Sequence, residues 1–363
     1  MLHVWHFKLK GIVMNSKIQL SVSRKNKTQL EISFNSDAGP VSLYWTKDND
    51  ANSQERYLIT GNASSPYLLD DPLKAEQRVY FIIEQGGQTF LSAERTLPVG
   101  GLNNFRDFGG YVGAGGKQVK WGMLYRSNHL YHLSPQAVAY IESLQIQTII
   151  DYRSANEIAK SPNDAVGEKR TYHLDAAAQT AELAAQFSAE PSDEDRMLIE
   201  SVMRDIPAEL INGQGAQVLE QYRHFVTSDK SKTAFKAMIE VLLDKDNSPH
   251  IQHCRGGKDR TGYGALLVLS MLGVSEDDII ADYLLTQANR MERNEVKMAA
   301  YRKITDDQNV LDYLHTLIDT RESFIVEVFN TMKQQSGSVA GYIKQELGFT
   351  DADFSKMQQN FLI

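Results

Sequence analysis

The chain is short of the features that would commit it to several large classes of protein. One cysteine, Cys254, stands among 363 residues, so no disulfide can form within the chain and a reducing compartment is compatible with it. No stretch of about 18 apolar residues offers a membrane span. Positive charge is in deficit, with 38 Lys and Arg against 46 Asp and Glu and a formal net charge of −8. That balance argues against broad binding to nucleic acid or to an anionic membrane, because counterion release needs a basic face. It leaves room for a local basic pocket. The first twenty residues carry Lys8 and Lys10, but Asn15, Ser16, Lys17 and Gln19 interrupt the stretch from Gly11 to Leu20, so the apolar core of a secretory signal is missing. The cytoplasm is therefore the expected location, with export of a processed form left open. What remains is an ordinary soluble composition, 42% hydrophobic and 23% charged, in a length that suits two domains.

From about Lys17 to Leu97 the chain reads as short alternating runs. Ile18–Val22, Leu30–Phe34, Val41–Trp45 and Arg78–Ile83 are strand candidates. They are separated by turn-rich breaks at Asn35–Pro40, Asp70–Pro72 and Gly86–Gly87. Short strands without helical periodicity predict a small all-β sandwich, immunoglobulin- or fibronectin-like, over residues 1–97. Pro98, Gly100 and Gly101 mark the boundary. The period then changes. Ser134-Pro135 opens a helix, with Val138, Ile141 and Leu144 at helical spacing. Ile146–Ile150 reads as a strand ending at Asp151, and Phe235 to Leu243 as the stripe of another helix ended by Asn247-Ser248-Pro249. A short strand His250–His253, a glycine-rich turn and an apolar helix from Arg260 to about Leu272 come next. These predict an α/β domain over residues 98–363. A helical insertion at about 176–226 reads equally well as a lid or as a static decoration.

The stretch His253-Cys254-Arg255-Gly256-Gly257-Lys258-Asp259-Arg260-Thr261-Gly262 carries the chemistry. A thiol attacks phosphorus as its thiolate, and the junction between a strand and a helix N-terminus favours that form. Five residues separate Cys254 from Arg260. The amides of Arg255, Gly256, Gly257 and Lys258 can converge on one anion, with the glycines allowing the necessary dihedrals. Arg260 offers a planar fork matched to two phosphate oxygens. Thr261 can donate to the sulfur, and with Gly262 it completes the phosphate-binding set at the start of the helix. This arrangement predicts phosphomonoester hydrolysis through a phosphocysteine, with no metal or other cofactor. A carboxyl group must protonate the leaving oxygen and then activate water. Asp259, within the loop, is the first candidate, and Asp151, at the end of its strand, the second. His253 is expected to support the loop and not to react.

These residues resemble the atypical bacterial tyrosine and lipid phosphatases of the PtpB/LipA-like type, whose pattern H-C-x-x-G-K-D-R-T-G is matched at every fixed position. Asn104-Phe105-Arg106-Asp107 with Gly109-Gly110, Leu124-Tyr125-Arg126-Ser127 and Asp151-Tyr152-Arg153-Ser154 with Glu157 extend the likeness. So do Gly337-Ser338-Val339, Gly341-Tyr342-Ile343 and Leu347-Gly348-Phe349-Thr350. It covers roughly residues 98 to 363 and does not reach the N-terminal sandwich. The resemblance implies a fold of the cysteine-dependent tyrosine phosphatase type acting on phosphotyrosine proteins or phosphoinositides, with Asp259 as general acid and Lys258 as a second cation for a more anionic substrate. Tyr152 departs from the family, which usually has Leu there, and bears on substrate preference. Two other readings stay open: a phosphate-binding module without turnover, and an adhesion or targeting protein acting through its sandwich, whose partner the sequence does not name.

Overall fold

The structure, a computed structural model, describes residues 20–35, 41–178 and 191–363. Outside the described residues fall nearly all of the first twenty, the start of the Ile18–Val22 strand, most of the Asn35–Pro40 turn and residues 179–190 of the insertion. The chain divides into two compact units. One runs to Pro72 and takes in Tyr80–Ala93; the other comprises Leu73–Val79 and Glu94–Ile363.

The first unit is all antiparallel. Strands β1 (Leu20–Arg24), β2 (Gln29–Phe34) and β5 (Tyr67–Asp70) form one sheet in the order β1-β2-β5. Strands β3 (Val41–Thr46), β4 (Arg56–Ala63), β6 (Tyr80–Gln85) and β7 (Gln88–Ala93) form another in the order β4-β3-β6-β7. Period-2 alternation explains the first sheet's inner face, since Leu30, Ile32 and Phe34 are buried while their neighbours are half-exposed. Strands β4 and β7 have no such pattern, and β5 alternates only between half-exposed and exposed residues. Tyr57, Leu58 and Leu68 are exposed, and the periodicity argument did not find these strands.

The second unit holds a five-stranded sheet in the order β11-β10-β12-β9-β8. Its strands are β8 (Arg106–Asp107), β9 (Leu124–Ser127), β10 (Thr148–Asp151), β11 (Arg170–His173) and β12 (His250–His253). β9 to β12 are parallel, and only β8 runs against its neighbour. Helices α1 (Pro135–Ser143) and α2 (Ala155–Lys160) precede an insertion that contributes α3 (Pro191–Asp205) and α4 (Ala216–Thr227). Helices α5 (Asp229–Leu243), α6 (Asp259–Met271), α7 (Glu276–Tyr301), α8 (Gln308–Ile318), α9 (Glu322–Ser336), α10 (Val339–Gln345) and α11 (Asp351–Phe361) complete the unit. Ser134 caps α1, its side chain accepting from the Ala137 amide ahead of a proline at the first helical position.

Side chains alternate across the parallel strands, so both sheet faces are covered. Tyr125, Ile149 and Ile251 pack with Ile141 of α1, whereas Leu124 and Ile150 join the larger core around α4, α5, α6 and α9. α6 is buried on nearly every side, as its all-round apolar sequence predicts. Among the described residues no helix is long and apolar enough to cross a membrane.

Candidate active site

Parallel strands end together, and their C-terminal edge brings Ser127, Asp151 and His253 into one row. Cys254 follows β12 directly and is 2% exposed. α6 begins at Asp259, so residues 254–258 form the turn between strand and helix. His253 supports that turn. It is fully buried, its Nε2 lies 3.0 Å from Asn163 Nδ2 and its Nδ1 3.2 Å from the Cys254 carbonyl. Burial lowers its pKa, the Asp151 charge only partly opposing that shift, which suits a neutral, structural imidazole.

The conformation of the turn is fixed by where its carbonyls go. The Arg255 carbonyl accepts from the His129 amide at 3.2 Å and meets His129 Nδ1 at 2.7 Å. The Gly256 carbonyl accepts from Arg290 Nη1 and from Asn104 Nδ2. Gly257's accepts from Asn104 Nδ2 at 2.9 Å and Arg126 Nη2 at 2.8 Å. With the carbonyls tied to these side chains, the amides of Arg255 to Lys258 make no backbone hydrogen bond among the described residues, the condition an anion-binding turn needs. Gly257 is required sterically, since it has φ +64 and a Cβ there would run into the Ser127 carbonyl, whereas a Cβ on Gly256 would displace only the end of the Arg290 side chain.

The residues that hold these anchors are themselves buried. Asp282 on α7 pairs with Arg106 and Arg126, and Arg106 also donates to the Asn104 side chain. One carboxylate thus steadies both routes to the Gly257 carbonyl. Although burial works against its charge, the two guanidiniums bring its pKa down to about 2.

Arg260 is aimed by Glu157. Nη1 and Nη2 each donate to a Glu157 oxygen at 2.7 Å, and Nη1 also donates to the Tyr152 carbonyl at 3.1 Å. Burial alone would lower the Arg260 pKa, but the Glu157 bonds and the Cys254 charge outweigh it and the net shift is upward. Nε is buried without a protein partner, leaving a donor for a ligand. Glu157 also accepts the Ser154 amide, closing a capping box at the start of α2. Nothing local in the sequence links this glutamate to Arg260, which lies 103 positions further on. Arg290 and Asp282 carry no local signal either, since their partners are distant in the chain.

Several of the expected residues find other partners in the structure, and Asp151 is engaged by Arg153. It is fully buried, and its oxygens accept from Arg153 Nε and Nη2 at 2.8–3.2 Å and from the Arg153 amide at 3.0 Å. Burial would raise its pKa; His253 and Arg153 bring it down to about 2, and Arg153 is the partner that is charged at all working pH values. The Lys258 ammonium donates to the Leu317 and Asp319 carbonyls at 2.9 and 2.7 Å, at the C-terminal end of α8, and lies 3.4 Å from Asp259 Oδ1. Thr261 Oγ1 is buried and makes no hydrogen bond, so the expected bond to sulfur is not formed. The Gly262 amide donates to the Lys258 carbonyl at 2.9 Å, and the absent side chain admits the Tyr283 ring instead. Tyr152 turns into the core, where its hydroxyl donates to Gln252 at 2.8 Å and its ring packs on Phe235.

Asp259 remains at the cradle's edge, its side chain 17% exposed, with Oδ1 accepting from the Tyr222 hydroxyl at 2.8 Å. Around the turn stand three arginines with no carboxylate ion pair among the described residues: Arg255, Arg290 and Arg293. Arg255 Nη1 and Arg290 Nε are buried without partners. Burial, and then the Arg293 charge, lowers the Arg290 pKa to about 10.

An outward-tied anion loop at the carboxyl edge of a parallel sheet, beginning with a cysteine and ending in a clamped arginine, is the architecture of a protein-tyrosine-phosphatase-like enzyme. Residues 97–363 match the model described as the tyrosine phosphatase family, and the chain belongs to that family. It is 29% identical over 261 residues to a Cupriavidus necator protein provisionally named a tyrosine-protein phosphatase, covering 72% of this chain and 86% of that one. It is 26% identical over 279 residues to the triple specificity protein phosphatase PtpB of Mycobacterium tuberculosis, covering 73% of this chain and 98% of that one.

Proposed function

We propose that this phosphatase hydrolyses phosphomonoesters through a phosphocysteine on Cys254, acting on phosphotyrosine proteins or phosphoinositides. The observation that carries the reading is the tethering of the loop carbonyls to side chains outside the turn, which leaves the amides of Arg255 to Lys258 without a backbone acceptor next to a buried thiol. The Cys254 sulfur attacks phosphorus while the P–O bond to the leaving group breaks. Asp259 protonates the departing oxygen, then takes a proton from the water that cleaves the thiophosphate. Arg260 and the loop amides stabilise the charge on the transferring phosphoryl oxygens. The unpaired Arg255, Arg290 and Arg293 favour a substrate with further negative charge, the part that the sequence suggests for Lys258. Seven antiparallel strands in sheets of three and four support a fibronectin- or immunoglobulin-like reading of the N-terminal unit, which on this view selects location or partner. We place the protein in the cytoplasm.

The test is phosphate release from a phosphotyrosine peptide and from soluble phosphoinositides, side by side, with Cys254→Ser as the blank. Metal-free turnover lost in the variant, with phosphate binding kept, is the expected result. Turnover retained by Cys254→Ser would refute the cysteine mechanism. Preference for the lipid would assign the three arginines to substrate reading.

A further inference from the structure

Asp259 is not held by the catalytic turn alone. Tyr222, on α4 in the insertion, donates its hydroxyl to Asp259 Oδ1 at 2.8 Å, and Tyr283, on α7, lies 2.6 Å from the Tyr222 oxygen. Both tyrosines are buried, at 0% and 1% exposure. Burial, and then the Asp259 charge, raises the pKa of each well above the ordinary tyrosine value. Tyr222 is therefore a standing donor. One hydroxyl has one proton, so while Tyr222 donates to Asp259, the proton between the two tyrosines comes from Tyr283. The chain is directional, running Tyr283 to Tyr222 to Oδ1. The rings are fixed by packing: Tyr222 is edge-on to Tyr283 and tilted against Phe225 and Phe324.

We infer that Tyr222, backed by Tyr283, is a positioning residue that occupies Oδ1 of Asp259 and so keeps the catalytic proton on Oδ2. This rests on Asp259 being the general acid. An oxygen already accepting a hydrogen bond is the poorer site for the acid's own proton, so the proton sits on the oxygen left for the leaving group. After transfer, the same bond stabilises the carboxylate that must next act as base. The insertion thereby supplies a part of the catalytic apparatus. Other groups facing Asp259 are the Lys258 ammonium, 3.4 Å from Oδ1, and the Arg260 and Arg290 charges. Asp319, past the end of α8, acts on Lys258 and Tyr283.

The experiment compares Tyr222→Phe, Tyr283→Phe and Asp259→Asn in the full chain. The readout is kcat/KM across pH on phenyl phosphate and on p-nitrophenyl phosphate, whose more acidic leaving group needs less protonation. In Tyr222→Phe the carboxylate form loses a donor, so the alkaline limb should move to higher pH. At the plateau, phenyl phosphate should lose about ten- to a hundredfold and p-nitrophenyl phosphate much less. Tyr283→Phe, which leaves the Tyr222 donor in place, should move the limb the same way by less. Equal losses on both substrates with an unmoved limb would make Tyr222 a packing residue and overturn the inference. Should Asp259→Asn leave both limb and leaving-group dependence as in wild type, the general-acid assignment itself falls.

Discussion

Replacing Glu157 by Ala tests how far a buried carboxylate governs Arg260. Glu157 is 3% exposed and Arg260 1%, and two charge-assisted bonds of 2.7 Å join them. Removing one partner of such a buried pair costs about 3–5 kcal/mol, because the other charge stays desolvated. The variant should unfold at clearly lower urea concentration. Catalysis should suffer separately. An arginine no longer gripped on both nitrogens cannot meet the transferring oxygens in a fixed orientation, and loss of one such preorganised donor is worth about 3 kcal/mol, roughly a hundredfold in kcat. Glu157→Gln keeps the shape and one acceptor and should fall between. The pair also has an acid signature. Burial would raise the Glu157 pKa, but the Arg260 bonds overcome it and hold it low. The stabilisation is thus present above the unfolded value of about 4.3 and disappears as pH falls through the lower folded value. Glu157→Gln should lack that dependence. Urea titrations at several pH values with steady-state kinetics decide the matter, and wild-type stability together with wild-type kcat in Glu157→Ala would refute the reasoning.

Asp151→Asn should reduce stability above about pH 4, the range in which the low-pKa carboxylate contributes, while leaving the limbs of the pH–rate profile unmoved; a shifted limb would return Asp151 to the chemistry. Gly257→Ala, forced into a positive φ against the Ser127 carbonyl, should cost about 1–3 kcal/mol and weaken phosphate binding in calorimetry, and unchanged binding would contradict the cradle. Lys258→Met removes the bonds to Leu317 and Asp319 and should lower the urea midpoint by the equivalent of about 1.5–3 kcal/mol; its KM for a phosphotyrosine peptide should stay within about threefold, and a large rise in KM would restore Lys258 to the substrate.

The cradle was legible because its instructions are local. His250–His253 is a strand, and the helix begins within a residue of the expected position. The spacing from Cys254 to Arg260 and the two glycines require no distant residue to be recognised. The α1 start at Ser134-Pro135 and the α5 stripe were readable for the same reason. In the N-terminal unit alternation revealed β2 and β3. It did not reveal β4, whose sequence Arg56–Ala63 exposes Tyr57 and Leu58 and buries only Ala63.

Which charges stand around the turn was decided by tertiary structure. The sequence places Lys258 and Asp151 beside the site in number, and folding pairs both with other groups, one with the carbonyls ending α8 and the other with Arg153. It brings in Glu157 from 103 positions before Arg260, Arg290 from 34 after Gly256 and Tyr222 from 37 before Asp259. A dihedral preference or a hydrophobic period acts over a few neighbouring residues, so the sequence alone determined the turn after β12 and the strand–helix frame around it. A buried charge must instead find its partner wherever the packed chain places one, and only the assembled sheet and its surrounding helices fixed that choice.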